Sequence, residues 1–260
     1  MRRISIFTYG VISYLLFLGT FLYAIGFIGN FLVPKSLDSA PVLPFARALF
    51  MNIGLLGLFA LQHSVMARPA FKQWWTKVVP SPAERSTYVL FSSLTLLLLF
   101  WQWQPMGGVI WNVENAISRS LLFSGFTFGW SLVLISTFLI NHFDLFGLRQ
   151  VYLYLRGKDY TFLKFATPGP YKLVRHPLYV GWLFAFWATP TMTVAHLVFA
   201  LTTTAYILIA VQFEERDLLA THGWEYAEYR QRVPMIVPRF FGKKSMPQQA
   251  APERAYKRAA

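Results

Sequence analysis

The chain has 260 residues, 55% of them hydrophobic and 13% charged, with a formal net charge of +13 and no cysteine. That balance is too apolar for a soluble domain, and several uncharged runs approach the roughly 20 residues needed to cross a bilayer. The basic residues gather between the apolar runs and in the tail, which points to a membrane rather than to nucleic acid. Without cysteine the chain has no disulfide, no thiolate metal site and no cysteine nucleophile.

The apolar runs fall at 5–33, 45–66, 86–106, 120–141, 177–190 and 194–213. The first follows "MRRISIFTYG" and is too long for a signal peptide, so it reads as a retained span. In lipid a spanning segment must satisfy its own backbone hydrogen bonds, and no strand-like alternation runs through these stretches, so each predicts helix. The run at 177–190 is short and Pro190 separates it from the last, which predicts a helical hairpin. The expected fold class is an all-α integral membrane protein of about six transmembrane helices, one polytopic domain over residues 1–241. The tail at 242–260, "GKKSMPQQAAPERAYKRAA", predicts a disordered basic segment that contacts anionic lipid.

Of the 24 lysines and arginines, all but Lys35, Arg47 and Arg119 lie at the N-terminus, in the 67–85 and 142–176 loops, or after Phe213. This asymmetry predicts cytoplasmic N- and C-termini. On that topology the polar residues of the spans converge at one depth. Gln62 and His63 end the second run, and Asn141, His142 and Asp144 end the fourth. His176 and Tyr179 begin the fifth, and Glu214, Glu215, Arg216 and Asp217 end the sixth. Polar groups at membrane depth are costly unless they face the protein interior or water, so the set marks a candidate site. His196, near the opposite side, has no such company and reads as structural. With five histidines and no metal-ligand spacing, a metal site is not expected. Neither a glycine-rich phosphate loop nor a serine nucleophile elbow appears.

The stretch "TPGPYKLVRHPLYVGW", residues 167 to 182, interrupts the pattern. Pro168, Gly169 and Pro170 prevent helix, so residues 163 to 176 are expected to be irregular. Pro177 suits the first turn of a new helix. His176 then sits at a helix N-terminus, where the dipole favours an anionic group such as a carboxylate. Further on comes "EERDLLATHGWEYAEYRQRVP". Adjacent residues on a helix point about 100° apart, so Glu214 and Glu215 are expected on different faces, with Glu215 paired to Arg175 or Arg216.

Together "GPYxxVRHPxYxG" and "EExxLxxxxGxxYxxYxxxVP" resemble the isoprenylcysteine carboxyl methyltransferase superfamily of integral-membrane methyltransferases. With "LQHSVMARPAFKQWW", "ERSTYVLFSS" and "NHFDLFGLRQVY", the chain is similar to the branch that holds NnrU-like and small-thiol-methylating proteins. The resemblance implies S-adenosylmethionine as methyl donor, bound in a pocket on the cytoplasmic face within residues 141–234. It implies cofactor contacts from Leu163, Phe165, Ala166, Tyr171, His176, Pro177, Leu178, Tyr179, Glu214 and Glu215. Prenylcysteine methyltransferases carry a carboxylate-binding arginine one turn before the first glutamate. Here that position is Ala210, which argues for a smaller acceptor without that anion. The implied acceptor is methanethiol, with His142, Asp144 and, behind them, His63 as candidates to take its proton. Another small thiol, hydrogen sulfide, a lipid-like acceptor, and a non-catalytic accessory role remain as alternatives. The setting this implies is a bacterial inner membrane.

Overall fold

The computed structural model describes residues 1–238, so the tail expected at 242–260 lies outside the described residues. Helices α1 (Arg2–Gly29), α2 (Phe45–Ala67), α3 (Pro69–Trp75), α4 (Glu84–Gln102) and α5 (Ala116–Ile140) make up the first part of the chain. Helices α6 (His142–Leu145), α7 (Leu148–Leu155), α8 (Pro177–Trp187), α9 (Val194–His222) and α10 (Trp224–Arg232) follow, and β1 (Val109–Asn112) pairs antiparallel with β2 (Thr191–Thr193). The protein is an all-α integral membrane protein with this one small ribbon. Helices α1, α2, α4, α5, α8 and α9 occupy the six apolar runs, and four of them (α1, α2, α5 and α9) are long and apolar enough to cross a membrane. The other two differ for separate reasons. α4 opens on Glu84 and Arg85 and buries the hydroxyls of Ser86, Thr87, Ser92 and Ser93. α8 has 11 residues, a rise of about 16 Å against a hydrocarbon core of about 30 Å.

Contacts between helix ends fix the topology. At one end Tyr9 of α1 donates to Thr87 of α4 (2.9 Å), and Tyr14 of α1 lies 2.9 Å from His142, just past α5. Arg68, just past α2, pairs with Asp217 of α9 at 3.0 Å, and Tyr179 of α8 donates to Glu214 of α9 (2.8 Å). The polar residues singled out in the sequence thus gather at one end of the bundle. The last two helices form the expected antiparallel hairpin, since Phe186 late in α8 packs on Phe199 early in α9 with ring centroids 5.2 Å apart. Large side chains such as Phe50, Leu121, Phe138 and Ile209 stay on the outside, as a lipid-facing surface requires. Phe27, Leu37, Leu99, Trp103, Phe199 and Val211 fill the interior.

Helices α5 and α8 approach closely because glycine meets glycine. A Cβ on Gly129 would lie 2.7 Å from the Gly181 carbonyl oxygen, and one on Gly181 would lie 2.7 Å from the Gly129 oxygen. Small residues at such a crossing let backbones touch, which is how membrane helices gain packing where no hydrophobic drive exists. This contact sets the start of α8 beside the end of α5.

At the opposite end the structure corrects the solitary reading of His196. Its Nδ1 lies 3.0 Å from Asp38 Oδ2 and its Nε2 lies 2.9 Å from the Phe186 carbonyl oxygen. Both ring nitrogens are therefore engaged, one with a carboxylate and one with a main-chain oxygen. Asp38 also accepts from Asn30 (2.6 Å) and from the Thr193 hydroxyl. The buried pair therefore pins the α1–α2 loop to the β2–α9 corner. Its role remains structural, as expected, but it has a charged partner.

Two stability outcomes follow from these contacts. Gly181→Leu forces backbone apart at the α5–α8 crossing and is expected to destabilise by about 1–3 kcal/mol, read as a lowered unfolding midpoint in detergent. Asp38→Ala leaves His196 Nδ1, the Asn30 amide and the Thr193 hydroxyl without their shared partner and is expected to cost about 1–3 kcal/mol by the same measurement.

Candidate functional site

The "GPYKLVRHP" block behaves as its prolines dictate. Residues 158–168 have no regular structure, Gly169 takes a φ of 53°, and a single 3-10 turn at Gly169–Lys172 leads to Pro177 in the first turn of α8. Only a residue without Cβ enters that left-handed region without strain, and Gly169 does so against Leu139 near the end of α5.

Glu215 organises what comes next. It is 7% exposed, and its Oε1 accepts from Arg175 through Nε (2.8 Å) and the terminal nitrogen (2.7 Å), and from His176 Nε2 at 3.1 Å. Arg175 is the partner, of the two the sequence offered. The same arginine donates to the Arg230 and Val233 carbonyls at 3.1 and 2.6 Å. The main-chain N–H groups of Arg175 and His176 donate to Pro234 and Met235. Helix α8, helix α9 and the segment after α10 are thereby tied at one carboxylate. That leaves His176's own amide occupied, so any ligand at this helix start meets the first-turn amides of Leu178 and Tyr179, which have no helical partner.

Glu214 points elsewhere. Its side chain is 43% exposed, and it accepts from the Tyr179 hydroxyl at 2.8 Å while lying 3.8 Å from His176 Nδ1. The two glutamates occupy different faces, as the helical angle requires, yet the His176 ring lies between them and reaches both. Next to them Tyr229 donates to the Tyr171 carbonyl at 2.6 Å, and Phe165 packs among His222, Tyr226 and Tyr229 with centroid distances of 5.1 to 6.0 Å. Burial, and then the charge of Glu214, raises the Tyr171 pKa. Burial pushes Tyr229 up to about 12. Pro177 is buried and Leu178 half-buried at the same helix start, while Leu163 and Ala166 are exposed. The structure thus brings Phe165, Tyr171, His176, Pro177, Tyr179, Glu214 and Glu215 into one neighbourhood. Leu163 and Ala166 lie on its exposed flank.

The three residues considered as proton acceptors have distinct surroundings. His142 is buried between Phe138, stacked at 4.2 Å, and Phe146. Its Nε2 meets the Tyr14 hydroxyl and its Nδ1 the Thr137 hydroxyl, each at 2.9 Å. Burial lowers its pKa, which favours the neutral ring. Asp144 pairs with Arg149 at 2.8 Å and accepts from Tyr160 at 3.3 Å. His63 lies against Tyr88, whose hydroxyl is 2.8 Å from Nε2, and against Ser92, with Phe59 stacked 5.2 Å away. The neighbouring Ser64 meets Tyr206 of α9 at 3.1 Å. No hydrogen bond joins these three to one another or to Glu214.

Several participants gave no signal in the sequence. Tyr14 and Tyr88 look like ordinary interfacial aromatics until the bundle places them on histidines. Asp38 was detectable in principle, because acidic residues are scarce in this chain. Two surface cavities, of about 560 and 320 Å³, lie at the opposite end, around Lys35 and Trp101 and around Asp38 and Arg119, and no motif residue lines either.

A family model described as phospholipid methyltransferase matches residues 124–223, the stretch from α5 through α9. A methanethiol S-methyltransferase of Crocosphaera subtropica is 61% identical over 245 residues, covering 94% of this chain and 96% of that protein. The chain belongs to the methanethiol S-methyltransferase family. A member from Mycobacterium tuberculosis is 55% identical over 238 residues, covering 92% of this chain and 98% of that protein. Nurim of Xenopus laevis is more distant, at 32% over 182 residues and 63% of its length. No solved structure matches the chain.

The paired glutamates are expected to separate on substitution. Glu215→Ala leaves Arg175 and His176 without their carboxylate and should cost about 3 kcal/mol or more in thermal unfolding. Glu214→Gln, at a half-exposed position, should stay within about 0.5 kcal/mol of the parent in the same assay.

Proposed function

We propose that the protein transfers the methyl group of S-adenosylmethionine to methanethiol, giving dimethyl sulfide and S-adenosylhomocysteine. The observation that carries this reading is the near full-length relation to proteins of that activity, with the RHP and EE segments folded onto each other at one end of the bundle. When bound, the cofactor supplies an electrophilic methyl on a sulfonium. The thiol sulfur forms the new C–S bond as the old one breaks, and the electron pair of the broken bond stays on the departing sulfur. One proton leaves the thiol.

The residues present fit such a cofactor. Glu214 offers a partly exposed carboxylate to an ammonium or ribose hydroxyl, and the start of α8 offers unpaired amides to a carboxylate. His176 stands between the glutamates, and Glu215 with Arg175 holds it there. Phe165 and Tyr171 supply apolar walls that exclude water, which helps a reaction in which a thiolate and a cation become neutral products. The absence of a guanidinium at Ala210 leaves the face of α9 below Glu214 suited to an uncharged alkyl group.

Since the thiolate is the nucleophile and alkanethiols are weak acids, a proton acceptor assists. His142 takes this role in our reading, because burial favours its neutral form and its two ring nitrogens meet only hydroxyls. We place the site on the cytoplasmic face of a bacterial inner membrane, with residues 1–241 as one catalytic domain. That orientation follows the distribution of lysine and arginine.

Headspace gas chromatography on detergent-purified protein with both substrates tests the reading. Dimethyl sulfide is expected from the parent, and His176→Ala and Glu214→Ala should each lower the rate by tenfold or more. Absence of product with retained S-adenosylhomocysteine binding would overturn methanethiol as acceptor, and absence of both would overturn the methyltransferase.

A further inference from the structure

Asp144, one of the three residues offered by sequence as a proton acceptor, is bound up in a different task. Its Oδ1 accepts from Arg149 at 2.8 Å and its Oδ2 from the Tyr160 hydroxyl at 3.3 Å. The same Arg149 nitrogen donates to the Thr161 carbonyl at 2.8 Å, its other terminal nitrogen donates to the Thr161 hydroxyl at 2.6 Å, and the guanidinium lies 5.1 Å from the Tyr160 ring centroid. Arg149 and Asp144 are themselves largely buried, with side chains 22% and 17% exposed. Thus one ion pair, on the short helices that follow α5, grips two consecutive residues of an irregular segment.

That segment needs the grip. Among the described residues, no main-chain group from 159 to 167 bonds to another main-chain group. Its position rests on side chains at two points. One is the Asp144–Arg149 clamp on Tyr160 and Thr161, and the other is Phe165, seated on His222, Tyr226 and Tyr229. Between the two anchors Phe162 is 88% exposed and Leu163 and Lys164 are also exposed. The far anchor leads directly to the candidate site, since Tyr229 holds the Tyr171 carbonyl, five residues before His176 and its contact with Glu215.

We infer that residues 157–166 form a strap along the cofactor site and that Asp144 and Arg149 are positioning residues that fix its near end. This rests on the methyltransferase reading above and deepens it. The strap's exposed apolar middle becomes a wall for the adenosyl group, and retention of the cofactor depends on the clamp. Proton transfer does not. Arginine is required because its fork reaches the carboxylate, a carbonyl and a hydroxyl together, whereas a lysine ammonium supplies the charge without the geometry.

The test uses full-length protein in detergent, with Arg149→Ala, Arg149→Lys and Asp144→Asn. S-adenosylhomocysteine binding is measured by titration calorimetry, and KM and kcat are measured for each substrate across pH. Thermal unfolding of each variant, and trypsin cleavage at Lys158 and Lys164, run in parallel. Expected is a rise of about tenfold in the S-adenosylhomocysteine Kd and in KM for S-adenosylmethionine for Arg149→Ala, with a smaller rise for Arg149→Lys. KM for methanethiol and the pH profile of kcat should hold, and strap cleavage should accelerate in the variants and be slowed by S-adenosylhomocysteine in the parent. Unchanged cofactor binding in folded variants overturns the strap, as does loss of kcat with a vanished acid limb in Asp144→Asn, which would make Asp144 the base. Failure of the unaltered protein to bind S-adenosylhomocysteine overturns the cofactor reading and this inference with it.

Discussion

A carboxylate at the end of a membrane helix is expensive unless cations meet it there, and Glu215 meets two partners on one oxygen. The rest of this end of the bundle is arranged by that requirement. Arg175 and His176 are consecutive, so satisfying Glu215 fixes where the irregular segment stops and where α8 starts. Arg175 has donors to spare, and they capture the carbonyls that follow α10. One buried charge therefore joins three segments that are far apart in sequence, and Glu214, next along the helix, is left turned to the open side.

The other end of the bundle repeats the solution with different chemistry. Asp38 and His196 lie on segments with no sequence signature, and the ribbon of β1 and β2 brings their loops together. Both ends place an acidic side chain where other side chains meet it, and the middle of the bundle is left to aromatic and aliphatic packing. The division suits an enzyme whose acceptor is small and lipid-soluble while its donor is large, charged and water-borne. The glycine crossing of α5 and α8 connects the two demands, because it sets α8 against the helix whose end carries Asn141, His142 and Asp144.

A short α8 has a further consequence for the site. About half a bilayer of helix cannot place its two ends at opposite surfaces. The irregular residues 188–190 and β2 connect α8 to α9, and the RHP segment that begins α8 meets the EE segment late in α9.

Much of this was legible in the residues. Apolar run length dictated the helices, because in lipid no other backbone solution exists for isolated segments. Pro168, Gly169, Pro170 and Pro177 dictated where helix stops and restarts, and the helical angle dictated that Glu214 and Glu215 diverge. The partners were not legible. Arg175 was one of two candidates for Glu215, Tyr14 and Tyr88 looked like belt aromatics, and Asp144 stood as a candidate proton acceptor with no sign of its pairing with Arg149. Side-chain pairing depends on distances between segments that are remote in sequence, and only the packed bundle sets those distances. Local chemistry is written in the chain, whereas the division of labour among its carboxylates and histidines is decided by which helix lies beside which.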